Sequence, residues 1–166
     1  MKTRTLTLQV ALIIGVFVSP ASLLAEGRTP IVGKPVVLEG DLLTVGSHKF
    51  RLYGIDAPEK GQTCQAKSRV LDCGRIAATG LMDLTAGVNS VSCEPLGPDP
   101  AGVMIVRCLD PQGFDLSRQM LYTGWALATP KSSKAFHDLE AKSRAAKRGL
   151  WKWQVTPPWV WRAAQK

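Results

Sequence analysis

The 166-residue chain is 45% apolar and 20% charged, with a formal net charge of +8 and four cysteines. Such a balance fits one globular domain with a proper core, and apart from the N-terminal run it excludes a membrane-spanning chain. The positive charge is uneven: residues 131–166 hold nine Lys/Arg against Asp138 and Glu140, whereas residues 26–130 total −1.

Residues 1–25 read as a secretory signal peptide. Lys2 and Arg4 precede the apolar run Val10–Val18, and small residues follow at Ser19, Ala21, Ser22 and Ala25. The run is too short to span a bilayer comfortably, so no stable membrane span is expected once the signal is cleaved after Ala25 or Ala21. The mature chain is expected outside the cytoplasm, periplasmic or secreted. In that compartment Cys64, Cys73, Cys93 and Cys108 read as two disulfides. Three pairings are open. Cys64–Cys73 and Cys93–Cys108 are favoured, the first closing a local loop and the second linking neighbouring strands. A zinc site is disfavoured, because there is no CxxC pair and both histidines lie far from the cysteines.

Residues 26–33 form a polar lead-in, expected to be loose. A strand starts at Lys34–Leu38, Leu43 and Val45 alternate, Gly46-Ser47 turns, and Phe50, Leu52 and Tyr53 return to Ile55. Asp56-Ala57-Pro58 then turns the chain outward, and Lys60–Val70 reads as a loop tied down by cysteine. Asp72 is placed to cap a helix over Cys73–Thr85, stopped by Gly87. Strands are expected at Ser90–Cys93 and Val103–Leu109, separated by a Pro/Gly-rich loop, Leu96–Gly102. Asp115 caps a short helix, Leu116–Tyr122, which Gly124 ends; Trp125–Ala128 is extended. Ser132 or Ser133 opens a last helix carrying Phe136, Leu139, Ser143, Ala146 and Leu150, ended by Gly149. The tail, residues 153–166, is basic and Trp-rich, with Pro157-Pro158 between Trp153 and Trp159/Trp161. About five short strands and three helices in this order predict a mainly β fold: a five-stranded OB-fold Greek-key barrel closed by helices, over residues 34–152.

The chemistry-bearing stretch is Val37–Glu59, in which the acidic turns Glu39-Gly40-Asp41 and Asp56-Ala57-Pro58-Glu59 flank a hairpin carrying Arg51. Carboxylates and a guanidinium on adjacent strands suit a hard cation and a phosphate together. The run EGD, then FRLYGIDAPE, then GWALA and AKRGLW resembles the staphylococcal nuclease (thermonuclease) family over roughly residues 34–152. That resemblance implies an OB-fold, calcium-dependent phosphodiesterase acting on DNA and RNA. It implies Asp41 and Asp56 as calcium ligands with the Ala57 carbonyl as a third, Glu59 as general base and Arg51 as phosphate clamp.

The chain departs from the family pattern at several positions. Glu39 replaces an Asp and Leu42 a Thr beside the metal turn. Val103 occupies the place of a second phosphate-binding arginine, Pro100 and Ala101 those of nucleotide-contacting residues, and Thr129 or Pro130 that of a Tyr. Arg107 lies about 13 Å further along the strand and cannot substitute. Losing such an arginine costs roughly 10³–10⁵ in rate, so turnover is expected to be weak or absent: at most a slow calcium-dependent endonuclease. The alternative is a non-catalytic envelope protein whose basic last helix and tail bind a polyanion, nucleic acid or acidic polysaccharide. In its export signal and altered site the chain also resembles nuclease-like proteins found beside genes for exopolysaccharides such as succinoglycan, which implies an accessory role in polysaccharide production. A monomer is expected. His48 and His137 are isolated and are assigned no chemistry.

Overall fold

A computed structural model describes residues 29–165; the expected signal peptide lies outside the described residues. The first strands are β1 (Ile31–Gly33), β2 (Pro35–Glu39), β3 (Leu42–Val45), β4 (His48–Leu52) and β5 (Ile55–Asp56). They are followed by β6 (Thr63–Ala66), β7 (Arg69–Asp72), helix α1 (Cys73–Thr85), β8 (Val91–Pro98) and β9 (Met104–Leu109). Helix α2 (Leu116–Thr123), β10 (Leu127–Ala128), α3 (Lys134–Ala145), a 3-10 turn (Gly149–Lys152) and α4 (Pro158–Ala164) complete the chain.

Six strands form one mixed sheet in the order β1-β8-β9-β4-β3-β2, in which β4 and β9 run parallel. This corrects the expected five-stranded closed barrel: the ladder is open between β1 and β2. The chain passes through Lys34 from one edge strand directly to the other, so β1 pairs with β8 while β2 pairs with β3. The short β5 leaves the main sheet and pairs with β10, and β6 with β7 makes a second two-stranded ribbon. Among the described residues the arrangement remains OB-like, a mixed sheet with four α-helices.

Local sequence explains most of the elements. Alternation along β3 and β4 sends Leu43, Val45, Phe50 and Leu52 inward, where they meet Ala77 and Leu81 of α1 and Met120 and Leu121 of α2. Asp72 caps α1 by accepting from the Arg75 N–H at 3.0 Å, and Asp115 caps α2 by accepting from the Arg118 N–H at 3.2 Å. Gly124 ends α2 at φ 81°, a left-handed conformation that glycine adopts without penalty.

Three local expectations fail for physical reasons. The lead-in contains β1, because Ile31–Gly33 finds the free edge of β8. Lys60–Val70 is a hairpin rather than a loop, with its register fixed by Thr63↔Asp72 through Ala66↔Arg69. Strand β8 runs on to Pro98 through a register shift between Pro95 and Gly97, which accommodates prolines that lack an N–H. Pro157-Pro158, between the tail tryptophans, starts a helix: Pro158 occupies the first turn of α4, where a missing N–H costs nothing.

Both favoured disulfides are present, Cys64–Cys73 and Cys93–Cys108. Cys93 and Cys108 are directly opposite on β8 and β9. The first disulfide belongs to a second apolar cluster with Leu127 and Leu150, against which Trp151, Trp153, Val155 and Trp159 pack. The Trp-rich tail thus covers the domain. No helix among the described residues is long and apolar enough to cross a membrane.

Candidate active site

Asp41 follows β2 in a tight turn, and its carbonyl accepts the Leu52 N–H at 2.8 Å. The β3–β4 register sets Leu42 opposite Arg51, which brings the arginine beside that turn. Asp56 ends β5 opposite Leu127, and Glu59 follows three residues later. The two acidic turns pack closely: a Cβ on Gly40 would lie 2.7 Å from Ala57 Cβ and 2.9 Å from Ala77 Cβ, so only glycine fits there.

Asp41, Arg51, Asp56 and Glu59 line one cavity of about 360 Å³, together with Asp99, Pro100, Ala101, Thr129 and Arg162. Ala57 is buried and is not among its lining residues. Glu39 faces elsewhere, into a cleft shared with Lys60, Asp72 and Arg75. A larger cleft of about 670 Å³ is lined by Gln65, Arg144, Trp151, Trp153 and Gln154, with no carboxylate among its walls. The acid–arginine chemistry is therefore in the smaller cavity.

Each acid of the cavity meets a guanidinium. Arg51 donates from Nη1 to Asp41 Oδ2 at 2.7 Å and from Nε to Asp99 Oδ2 at 3.2 Å, which leaves Nη2 for a ligand. Arg162, from α4, sets its fork on Asp56, with Nη1 3.0 Å from Oδ1 and Nη2 2.6 Å from Oδ2. Arg162 Nη1 also donates to Glu59 Oε1. Burial pushes the Asp41 carboxyl up to about 7; the Arg51 charge and hydrogen bond pull it down without prevailing, and the neighbouring Asp56 and Glu59 add to the rise. Burial would lower Arg51, yet Asp41 and Asp99 hold it above its ordinary value. Burial would raise Asp99, but the Val103 and Ala101 N–H groups and Arg51 hold its carboxyl below the usual carboxylate range. The hydrogen bonds of Asp56 are foremost among the causes that raise Arg162 above its ordinary value.

Two of these groups escaped the sequence reading. Asp99 stands in the loop noted only for its departures, although Asp-Pro-Ala-Gly is a recognisable Asx-turn pattern: Oδ1 accepts the Ala101 and Val103 N–H groups at 2.8 and 2.9 Å. Arg162 is read from the sequence only as part of the basic tail able to meet an anion, and nothing there points it at Asp56 or Glu59. Its guanidinium is engaged within the molecule, and the site therefore holds a cation besides Arg51. Arg107 is directed elsewhere, with Nε 3.9 Å from Asp115.

Comparison with known proteins decides the family. The family described as Staphylococcal nuclease homologue matches residues 49–153. The chain belongs to the staphylococcal nuclease family. The matched span contains Arg51, Asp56, Glu59 and Asp99, while Asp41 precedes it and Arg162 follows it. The chain is also similar to the succinoglycan biosynthesis protein ExoI of Rhizobium meliloti (strain 1021), at 26% identity over 134 residues, or 80% of this chain and 70% of that protein.

Staphylococcal nuclease-like chemistry calls for calcium, and the residues suit that ion in kind. Four carboxyl groups face two guanidiniums in the cavity, so hard oxygen donors carry up to two negative charges that the arginines do not balance. In the arrangement seen, no three Asp, Glu, His or Cys side chains among the described residues are grouped closely enough to hold a metal ion. The guanidinium of Arg162, a cation itself, stands on Asp56 and Glu59.

Proposed function

We propose that this chain is an exported phosphodiesterase of the staphylococcal nuclease family with slow turnover on nucleic acid. The observation that carries this reading is the convergence of Asp41, Arg51, Asp56 and Glu59, from separate turns and strands, on one cavity. Asp41 and Asp56 would hold a calcium ion, with the Ala57 carbonyl as a third ligand. Such an ion polarises a phosphate oxygen and helps generate a nucleophile from water. Glu59 would take the proton of the attacking water, and Arg51, fixed by Asp41 and Asp99, would present its remaining amino group to the phosphate. Turnover is slow because position 103 carries valine and because Arg162 pairs with Glu59. The two disulfides support export.

The test is hydrolysis of single-stranded DNA by the purified protein in calcium and in chelator. Slow, calcium-dependent cleavage is expected, reduced about 10²-fold or more in Glu59→Gln. Cleavage that Glu59→Gln leaves unchanged, or none at all, defeats the reading, and so does cleavage at the speed of an efficient nuclease.

A second reading is favoured by the similarity to a succinoglycan biosynthesis protein: a non-catalytic accessory role in exopolysaccharide production. Lys142, Lys147, Lys152 and the end of α3 would then bind an acidic polysaccharide. Salt-sensitive binding to such a polymer, unaffected by Glu59→Gln, distinguishes it.

A further inference from the structure

The C-terminal tail is fastened to the segment that carries Glu59. Gln65 and Gln154 exchange two backbone hydrogen bonds of 3.0 and 2.9 Å, and buried Gln62 donates to the Thr156 carbonyl at 2.7 Å. Pro158 is buried and Trp159 packs into the cluster around Cys64–Cys73. Beyond Trp159 the character changes: Val160 and residues 162–165 are exposed, and among the described residues the side-chain hydrogen bonds joining this stretch to the domain are those of Arg162. The helix is thus moored at its start and clasped near its end by one guanidinium.

That guanidinium takes both oxygens of Asp56 and one of Glu59. Because Arg162 stands on both oxygens of Asp56, a divalent cation ligated there competes for those oxygens and meets the guanidinium's repulsion at close range. With four carboxyl groups against two guanidiniums, the cavity attracts a divalent ion more strongly than a single positive charge can match. The Arg162 side chain is 43% accessible, although Asp56 beneath it is 8% and Glu59 19% accessible, so the guanidinium can leave toward solvent without unfolding of the domain.

We propose that Arg162 is a resident counter-cation of this site, that a divalent cation must displace it from Asp56 and Glu59, and that the end of the C-terminal helix is released when it does so. The proposal rests on the reading of Asp56 as a cation ligand given above. It makes the helix a strap that holds the acids together without the ion, and leaves Glu59 unpaired only when the ion has arrived.

Calcium binding to the full purified protein, followed by calorimetry, tests it in the wild type, Arg162→Gln and Arg162→Lys. Arg162→Gln is expected to bind calcium about tenfold or more tightly than the wild type, since a charge-assisted pair no longer competes, with Arg162→Lys between them. In the wild type, saturating calcium is expected to speed amide hydrogen exchange over residues 160–165 and to change the emission of Trp159 and Trp161. Equal affinity in wild type and Arg162→Gln overturns the proposal, as does weaker binding in the variant, which would make Arg162 a helper of the bound state. Absence of calcium binding in all three proteins overturns it as well. Glu59-dependent DNA cleavage with calcium affinity unmoved by Arg162→Gln would leave the phosphodiesterase reading standing and remove this one alone.

Discussion

The side-chain amide of Gln62 donates to the carbonyl of Thr156 at 2.7 Å while its oxygen accepts the Glu59 N–H at 3.1 Å. One fully buried side chain therefore ties the turn bearing Glu59 to the start of the tail. Gln62→Leu keeps the approximate volume and removes both bonds, stranding the N–H of half-buried Glu59 and the carbonyl of Thr156 against an apolar side chain. A loss of about 2–4 kcal/mol is expected by chemical denaturation, with faster amide exchange at Glu59 and Gln65.

A glycine under the same turn allows a separate check. A Cβ on Gly74 would lie 1.9 Å from the carbonyl oxygen of Glu59, a backbone atom with no rotamer to escape into. The Gly74 N–H also donates to the Gln62 carbonyl at 3.1 Å, so the start of α1 is pressed against residues 59–62. Gly74→Ala is expected to cost about 2 kcal/mol or more and to shift Glu59. Thermal unfolding reads the first effect; loss of DNA cleavage out of proportion to the loss of fold reads the second.

The half of the candidate site built from Asp41 to Glu59 is legible in the sequence because it is local. Asp41, Arg51, Asp56 and Glu59 fall within nineteen residues joined by one hairpin and two turns, and strand alternation with turn chemistry brings them together. Both capped helices, α1 and α2, are legible for the same reason, since Asp72 and Asp115 act within three residues. What is not legible is non-local. Asp99 reaches Arg51 across 48 positions and Arg162 reaches Asp56 across 106, and neither pairing leaves a periodic signature. The open ladder is hidden likewise, because it depends on Lys34 separating two short strands whose partners lie at opposite edges of the sheet.

Asp41 predicts an unusual pH dependence for the metal-free protein. Burial first, outweighing the pull of Arg51, raises its folded-state value from 3.8 to about 7. The folded chain then holds a proton that the unfolded chain releases, so this group's contribution falls as pH rises from about 4 to about 7, by at most about 1.4 kcal/mol per unit. Denaturation midpoints in chelator are expected to decline across that window relative to Asp41→Asn. A difference that instead grows with pH would show that Arg51 dominates burial.

The two disulfides should separate stability from function. Cys93–Cys108 joins β8 and β9 across a sequence separation of 15, within the core, and its cysteines do not line the cavity. Cys64–Cys73 closes a loop with a separation of 9, and that loop contains the β6–β7 hairpin to which the tail is moored at Gln65. Removing either as a double serine variant is expected to cost about 2–4 kcal/mol, chiefly by freeing the unfolded chain. Only Cys64→Ser/Cys73→Ser should also loosen the tail, because the hairpin then gives under the Gln65–Gln154 and Gln62–Thr156 bonds. Amide exchange over residues 154–165, measured well below each variant's Tm, is expected to rise in that variant and to stay at the wild-type level in Cys93→Ser/Cys108→Ser. Equal exchange in both variants would mean that α4 is held by Arg162 and Trp159 without help from the hairpin.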